Sequence, residues 1–311
     1  MNIGYACVNI TLGLSVGKTL TQANCKNELA IYNKIQDNLF GLYSILKWNK
    51  ENKILFYRMS SSMFPHITNE SIKFGNCNRF SYSIRLFSDY LKMIGDYSKE
   101  HKMRLTFHPG QYTLLSSESP DVTRRAINDI IYHAVIFKLM GLNVSDGSCM
   151  VIHGGGIYND KQSALKRIVK NYRSIPKFAR DYIIFENDEF RYNIHDILRI
   201  CKTVGAPACF DTHHFSVYNM KNKLDYTPER IDSIMDKVVK TWNTRRPKIH
   251  ISNQDPNKRP GAHSKYITEI PDYIYRLLSR HNNAIDIMFE AKGKELSVLK
   301  FRTHPGIEPG T

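Results

Sequence analysis

The sequence predicts an α/β protein built as a single (β/α)8 TIM barrel. Eight apolar segments of strand length alternate with longer amphipathic segments along the 311 residues. No break in composition divides the chain, and its length suits a barrel of roughly 250 residues with extensions. An open doubly wound sheet is the alternative, but the sequence contains neither a GxGxxG nor a GxxxxGKS/T motif. We therefore expect residues 1–301 to form the barrel domain and residues 302–311 an irregular tail.

Each element rests on its apolar periodicity and its flanking residues. Ser119-Pro120 and Thr227-Pro228 are typical helix starts, with a capping hydroxyl followed by proline at the first helical position. The predicted strands are 3–9, 54–59, 105–108, 149–153, 183–186, 208–211, 248–252 and 285–290. The predicted helices are 27–52, 78–101, 119–140, 160–178, 193–204, one that begins at 227, and 269–280.

Charge and composition limit the class of protein. The chain carries 44 Lys and Arg against 29 Asp and Glu, and this net charge of +15 suits a polyanionic partner. No run of about 18 apolar residues predicts a membrane span, and the N-terminus lacks the features of a signal peptide. The six cysteines form no CxxC pair, which favours free thiols in a reducing compartment. We therefore expect an intracellular protein that is not secreted and does not bind membranes.

Ionisable residues stand at the ends of nearly all the predicted strands. In the segment RLTFHPGQY a strand ends at His108, Pro109-Gly110 forces a turn, and Gln111 and Tyr112 project from the loop. In a barrel the carboxyl ends of all strands converge on one mouth, so residues of this kind are expected to meet there. The other strand-end candidates are His66, His153, Glu186, Asp211, His214, Lys248, His250, His263 and Glu290.

This collection of side chains favours metal chemistry. Even without His66, five imidazoles with three carboxylates exceed what a Ser/His/Asp triad or a paired-carboxylate glycosidase requires. They match a cluster of two or three divalent metal ions with a bridging carboxylate. Nitrogen and oxygen ligands permit Mn²⁺, Zn²⁺ or Fe²⁺, and the sequence does not choose among them. Together with the basic charge, the cluster predicts metal-dependent phosphodiester hydrolysis.

The ordered motifs of the chain resemble those of the UV damage endonucleases, the UVDE-type DNA repair nucleases. The resemblance implies a TIM barrel related to endonuclease IV that nicks duplex DNA immediately 5′ to cyclobutane pyrimidine dimers, (6-4) photoproducts and abasic sites. It also implies three divalent metal ions, with Mn²⁺ first and Zn²⁺ or Mg²⁺ as alternatives. The motifs that carry it are GYACVNITL, TFHPGQY, VIHGGG, FENDE, FDTHH, PKIHISNQDP, KRPGAH and MFEAKGKE.

The resemblance also implies a role for individual residues of the site. Glu186 would bridge the metal ions and act in catalysis. Lys248 matches a lysine that can be carboxylated in relatives, and His66 matches a site histidine in a loosely aligned segment. We take both as catalytic candidates. The metal ligands implied are His108, His153, Glu186, Asp211, His214, His250, His263 and Glu290.

The resemblance assigns four further residues to DNA. Gln111 and Tyr112 match the pair that probes the duplex at the lesion. Tyr5 and Asn9 match positions near the lesion and the scissile phosphate. The implied partner is damaged double-stranded DNA, met in the cytoplasm or the nucleus, and nothing in the sequence indicates more than a monomer.

Three other functions remain open at this point. An abasic-site endonuclease of the endonuclease IV type would share the fold and chemistry but read different damage. A xylose-isomerase-like sugar isomerase is also a metal-dependent barrel, although the +15 charge and the many histidines disfavour it. A non-catalytic DNA-binding barrel is disfavoured because every expected ligand is present.

Overall fold

Eight parallel strands close into a barrel, which confirms the predicted fold class. The computed structural model describes residues 1–21, 23–75, 77 and 79–303. Each strand pairs with the next along the chain, and the last pairs with the first. The strands are β1 (Ile3–Ala6), β2 (Phe56–Arg58), β3 (Arg104–Phe107), β4 (Cys149–His153), β5 (Ile183–Glu186), β6 (Ala208–Asp211), β7 (Lys248–Ile251) and β8 (Asp286–Phe289).

Helices follow the strands and surround the barrel. Ser119 and Thr227 cap the helices that begin at Pro120 and Pro228, as predicted. Within the described part of the chain, no helix is both long and apolar enough to span a membrane. The helices are α1 (Glu28–Glu51), α2 (Ser88–Glu100), α3 (Pro120–Leu139), α4 (Lys161–Ser174), α5 (Lys177–Arg180), α6 (Ile194–Val204), α7 (Thr212–Asn222), α8 (Pro228–Lys240), α9 (Asp272–Arg280) and α10 (Lys294–Arg302).

The helix predicted over 78–101 begins later than expected. Its regular part starts at Ser88, after a 3-10 turn at Ile84–Phe87. Ser81 is instead tied to the preceding loop, because its N–H donates to Ile67 O and its hydroxyl to the carbonyl oxygens of His66 and Asn69. Residue 78 itself lies outside the described residues.

Two helices, α7 and α10, were not predicted from the sequence. Helix α7 starts directly at the end of β6, where the Asp211 carboxylate accepts from the His214 N–H and caps it. Helix α10 extends through Arg302, at which the irregular tail was expected to begin. The Arg302 guanidinium donates to the carbonyl oxygens of Asn52 and Lys53. The rest of the predicted tail, residues 304–311, lies outside the described residues.

A short antiparallel ribbon replaces the second half of the first predicted strand. Cys7 has a φ of +67° and interrupts the strand after Ala6. Val8–Asn9 then pairs with Leu14–Ser15, so that the ribbon rises from the carboxyl end of β1. We call residues 8–15 the ribbon.

The barrel interior is layered from floor to mouth. At the amino ends of the strands, a buried ion pair joins Arg104 to Asp286 at 3.0 Å. Above it lie small apolar clusters, which include Cys149 and Ile184 in one and Phe56 in another. The main core packs between the strands and the surrounding helices. Because the floor and middle layers are filled, the mouth is the place left for chemistry.

Candidate metal centre

Strand register brings the strand-end side chains together at the mouth. His153 pairs with Glu186 across β4 and β5, and Asp211 pairs with His250 across β6 and β7. Side chains alternate along a strand, so Lys248 and His250 share one face. The expected convergence of the strand ends therefore holds in the structure for these positions.

Glu186 lies at the centre of the cluster and is fully buried. Its Oε2 is 3.0 Å from Nε2 of His108 and 3.5 Å from Nε2 of His153. Its other oxygen, Oε1, is 2.5 Å from Nδ1 of His250. One carboxylate of β5 thus contacts histidines from β4, β7 and the loop after β3.

The second half of the cluster surrounds His250. Nδ1 of His250 lies 3.3 Å from Glu290 Oε1 and 4.0 Å from Asp211 Oδ2. Asp211 Oδ1 lies 3.9 Å from Nδ1 of His214. His263 reaches the edge of the cluster, with its Nδ1 4.0 Å from Glu290 Oε2. All eight residues expected as ligands therefore lie in one connected cluster of contacts.

Several sets of these side chains are close enough to hold a metal ion. In the described part of the chain, four such groups place one candidate ligand atom from each member within 4.8 Å of the others. Glu186 belongs to three of the four groups, which is the arrangement expected of a bridging carboxylate. The groups are His108–His153–Glu186, Glu186–Cys209–His250, Glu186–Asp211–His214 and Asp211–His250–Glu290.

The unsatisfied polar atoms of the cluster fit a metal centre. Nδ1 of His250 lies near Glu186 without hydrogen-bond geometry, and neither nitrogen of its ring has a hydrogen-bond partner among the described residues. The same holds in that part of the chain for Glu186 Oε1, Asp211 Oδ2 and His153 Nδ1. Buried polar atoms without partners are costly. Coordination of divalent cations would satisfy them with the donor atoms that such cations prefer.

The electrostatics of the cluster lead to the same conclusion. Burial alone would raise the pKa of Glu186, but His250 and His108 outweigh it and hold this pKa well below its usual value. Burial, reinforced by Glu186 and Glu290, raises the pKa of Asp211 to about 7. Burial opposes protonation of His214, yet Asp211 and Glu186 raise its pKa to about 10. The crowded carboxylates therefore favour added positive charge, which a divalent cation supplies.

Three residues of the site were missed from the sequence. Arg58, at the end of β2, forms a partly buried ion pair with Glu290. Asn187 exchanges two hydrogen bonds with the Asp211 backbone, and its carbonyl oxygen lies 2.9 Å from Nδ1 of His214. Glu189 Oε2 lies 3.6 Å from Nε2 of His214. Arg58 is the one charged residue of the apolar segment ILFYRM, so the rule that found the other strand ends also applies to it.

Two catalytic candidates stand apart from the cluster. Nε2 of His66 lies 2.8 Å from Leu20 O, and His66 belongs to none of the metal-capable groups found in the described residues. Lys248 is fully buried below His250, with its ammonium 5.6 Å from the centre of the Phe56 ring. Burial lowers the pKa of Lys248, and its ammonium has no hydrogen-bond partner within the described residues.

Tyr5 and Asn9 are both completely buried in this structure, so neither has surface free for a direct contact with DNA in this arrangement. Their assignment to positions near the lesion stays a prediction. The Tyr5 hydroxyl donates to Asn49 Oδ1 of α1 at 2.7 Å, and Asn9 Nδ2 donates to the Tyr5 oxygen at 2.8 Å. Asn9 also lies in the ribbon rather than in β1. Both residues therefore form a polar network inside the fold.

The loop after β3 has the exposed tip expected from its sequence. Tyr112 is 80% exposed and Gln111 is also exposed. The base of the loop is fixed, since Ser61 donates to His108 O at 2.8 Å and Thr113 donates to Asp129 Oδ2 at 2.6 Å. A rigid base thus carries two free side chains on the segment that begins at His108.

A closed parallel barrel with a mouth of histidines and carboxylates defines the class: a TIM barrel whose mouth is able to hold divalent metal ions. Comparison with known proteins then gives the family. The chain belongs to the UV-endonuclease UvdE family, whose model matches residues 1–307. This confirms the resemblance seen in the motifs.

Individual relatives align with this chain over most of their length. A protein of Acanthamoeba polyphaga mimivirus, provisionally named a UV-damage endonuclease, is 36% identical over 96% of this chain and 90% of its own. A UV DNA damage endonuclease of Bacillus cereus strain B4264 is 32% identical over 92% of this chain and 88% of its own. The crystal structure of SacUVDE superposes with a TM-score of 0.81 at 31% identity and covers 96% of both chains.

A more distant structure shares the fold alone. Endonuclease IV from Thermus thermophilus superposes with a TM-score of 0.58 at 11% identity, over 97% of both chains. This similarity places the two barrels in one architecture without transferring a substrate.

Proposed function

We propose that this protein is a DNA repair endonuclease that nicks duplex DNA 5′ to UV photoproducts and at abasic sites, by multi-metal phosphodiester hydrolysis. The observation that carries the proposal is the fully buried Glu186, shared by three metal-capable groups at the mouth of the barrel. Membership of the UvdE family supports the choice of DNA as substrate. The net charge of +15 supports binding to a polyanion.

Three divalent ions, with Mn²⁺ preferred, fit the donor set of the mouth. Glu186 would bridge, and the ligands would be completed by His108, His153, Asp211, His214, His250, His263 and Glu290. Bound metal ions would lower the pKa of water and stabilise the attacking and leaving oxygens of an in-line displacement. These eight residues supply nitrogen and oxygen donors, which suit Mn²⁺.

The protein's own residues would prepare this site. Arg58 orients the Glu290 carboxylate through their ion pair. Asn187 fixes the end of β6, and with it Asp211, through its two hydrogen bonds to the strand. Lys248 has no exposed surface, so it would act through its position and charge below His250 rather than by touching phosphate. His66 would support the loop after β2 through its contact with Leu20.

Damage would be read by the exposed tip of the loop after β3. A photodimer stacks poorly, so moving it out of the helix costs less than moving normal bases. Tyr112 and Gln111 would fill the space left in the duplex. The same loop begins at His108, so the contact with the lesion and the position of a metal ligand would be linked through Pro109-Gly110.

A nicking assay tests the proposal directly. Purified protein is incubated with a defined photodimer duplex, with Mn²⁺ or with a chelator, and the cut is mapped. We expect one cut immediately 5′ to the lesion that requires the metal. A protein that leaves the photodimer duplex intact under both conditions would contradict the proposal.

The second candidate is an endonuclease IV-type abasic-site nuclease, which would use the same metal centre for the same hydrolysis but read different damage. A matched abasic duplex in the same assay separates the two. Cutting of the abasic duplex alone would assign the protein to this second function, whereas aldose turnover without DNA cleavage would establish a sugar isomerase.

A further inference from the structure

Two apolar side chains project into solvent at the tip of the ribbon. Ile10 is 42% and Leu12 37% exposed, although Asn9 beside them is fully buried. The tip turns tightly, since Gly13 N donates to Ile10 O at 3.0 Å and Gly13 adopts a φ of +62°. Single exposed apolar residues are common on proteins. A pair on a tight turn at the mouth of a DNA-binding barrel calls for an explanation.

The fold holds this tip from beneath with two buried polar side chains. Asn9 Oδ1 accepts from Leu12 N at 2.9 Å. Glu295 Oε1, from α10, accepts from Thr11 N at 2.7 Å and from the Thr11 hydroxyl at 3.1 Å. Glu295 is completely buried, and its other oxygen has no hydrogen-bond partner in the described part of the chain. A buried carboxylate is costly, and this one orders the backbone of an exposed turn.

The Tyr5 network extends the same support into the barrel wall. Asn49 of α1 accepts from Tyr5, which accepts from Asn9, which in turn accepts from the tip at Leu12. Tyr5 also packs edge-on against Tyr57 of β2, with ring centres 5.2 Å apart. The tip is therefore a rigid projection rather than a loose loop.

Position and charge indicate what meets this projection. The ribbon leaves the carboxyl end of β1, so it stands on the same face of the barrel as Tyr112. The half-buried Lys294 directly precedes Glu295, which holds the tip from α10. The net charge of +15 suits a polyanion. A duplex bound over the mouth would meet both the candidate metal centre and this apolar tip, and bases are the groups of DNA that apolar side chains contact.

We propose that Ile10 and Leu12 form a second wedge, which enters a base step of the duplex beside the lesion while Tyr112 probes the lesion itself. Asn9 and Glu295 act as positioning residues for this wedge. The inference rests on the proposed function and adds a specificity element to it. Apolar side chains that enter a base step unstack it and bend the duplex, which eases the exit of neighbouring nucleotides.

The test replaces the apolar pair with Ile10→Ser/Leu12→Ser and uses Met93→Ser as the control. Met93 lies on α2 and is 44% exposed, so it matches the wedge in exposure. Photodimer duplexes carry 2-aminopurine one step from the lesion, and its fluorescence is measured on binding with chelator present. We expect the double variant to lose most of the fluorescence gain and about tenfold in preference for damaged duplex, while the control matches wild type. Wild-type fluorescence and preference in the double variant would overturn the wedge.

A second substrate separates this inference from the proposed function. In a photodimer duplex with mismatched bases around the lesion, the base steps are already unstacked. The double variant should nick this duplex, with Mn²⁺, at close to the wild-type rate while nicking the paired duplex more slowly. Equal slowing on both duplexes would contradict the wedge. A wild-type protein that nicks neither duplex would instead contradict the proposed function.

The positioning role has its own test. Glu295→Gln keeps an oxygen that can accept from Thr11, whereas Glu295→Ala removes it. We expect Glu295→Ala to reproduce the fluorescence loss of the wedge variant and Glu295→Gln to recover most of the wild-type signal, with metal content unchanged in both. Should Glu295→Ala fail to fold, Thr11→Pro, which removes the anchored N–H and the anchored hydroxyl but leaves Glu295 in place, replaces it. A full fluorescence gain in Glu295→Ala, or in Thr11→Pro where that variant replaces it, would contradict the positioning role of Glu295.

Discussion

Tyr112 shows how one side chain can be free for recognition while its neighbours are fixed. It is 80% exposed, the largest exposed fraction among the large apolar side chains in the described residues. Its removal should therefore leave the fold intact. The neighbouring Thr113 is buried and bound to Asp129 of α3, so the backbone beneath the ring keeps its position.

The variant Tyr112→Ala should lower the preference for damaged over undamaged duplex by roughly tenfold, because stacking of one base on an aromatic ring is lost. Binding constants for both duplexes measure this ratio. Tyr90→Ala, on the exposed face of α2, serves as the control. Metal content should stay at the wild-type level in both variants, and an unchanged preference in Tyr112→Ala would remove the probe assignment.

For single residues, the sequence predicts which side chains lie at the strand ends better than it predicts which side chains are buried. The ends of apolar segments located Glu186 and His250 because the barrel geometry makes all strand ends converge. The same reasoning could not show that Tyr5 and Asn9 are buried, since alternation along β1 breaks at Cys7. Burial there depends on α1, whose Asn49 is distant in sequence.

The connection between β5 and β6 shows how an element holds the site. Asn187 is fully buried and bonds both the N–H and the carbonyl oxygen of Asp211. Replacement by Ala would leave two buried backbone groups unpaired. Each costs about 1–3 kcal/mol, so Asn187→Ala should lower the free energy of unfolding by roughly 3 kcal/mol.

Metal content should fall in Asn187→Ala as well, because Asp211 loses its orientation. Denaturant unfolding and metal analysis measure the two effects. Asn193→Ala is the control, since it removes only a helix cap, worth about 1 kcal/mol, and should leave the metal content unchanged. Full metal content in Asn187→Ala would show that the two hydrogen bonds from Asn187 to Asp211 do not position the site.

Helix α3 carries a buried histidine that makes stability depend on pH. Burial lowers the pKa of His133 below its usual value near 6.5, although Asp129 opposes the shift. The unfolded chain therefore takes up a proton at a higher pH than the folded chain. The contribution of neutral His133 to the free energy of unfolding is complete above about pH 7. It is lost as the pH falls through 6.5 towards the lower pKa of the folded state.

His133→Asn should remove this part of the acid sensitivity while keeping a donor for Asp129 O, which the His133 ring contacts at 2.7 Å. Unfolding free energies of wild type and variant between pH 8 and 5 would be compared. Their difference should narrow as the pH falls. A constant difference across this range would show that His133 titrates alike in both states.

Among the elements, periodicity predicted the strands well and the short helices poorly. Strands β4, β5 and β6 have the predicted bounds because their apolar segments are short and sharply ended. Helix α7 begins directly after β6 and carries the candidate ligand His214 in its first turn, so from the sequence this segment is predicted as part of the site and not as a helix. Its start depends on the Asp211 cap, a contact that periodicity does not report.

At the scale of the whole molecule, part of the positive charge is concentrated in one groove. A groove of about 420 Å³ lies between α3 and α4 and begins near the loop that carries Tyr112. Arg124, Arg167 and Lys170 line it, and Glu118 is the one acidic residue among its described lining. Under the proposed function, this groove would offer a path for the phosphates of DNA beyond the lesion, and Lys170 is the cation in it to test.

Neutralising Lys170 in a Lys170→Ala variant should weaken binding to damaged and undamaged duplex alike and reduce the salt slope of affinity by about 1. Lys50→Ala at the far end of α1 is the control and should leave the slope unchanged. Binding isotherms at several salt concentrations provide the slopes. A loss confined to damaged duplex would mean that Lys170 reads the lesion rather than the backbone.

In the proposed function, Glu186 joins the metal ions of a hydrolytic centre. The most direct measurement compares Glu186→Gln with wild type for bound metal and for nicking of a photodimer duplex in Mn²⁺. We expect about three ions per wild-type chain and fewer in the variant, nicking reduced roughly a thousandfold or more, and lesion binding largely retained. Wild-type nicking rates or full metal content in Glu186→Gln would contradict the account.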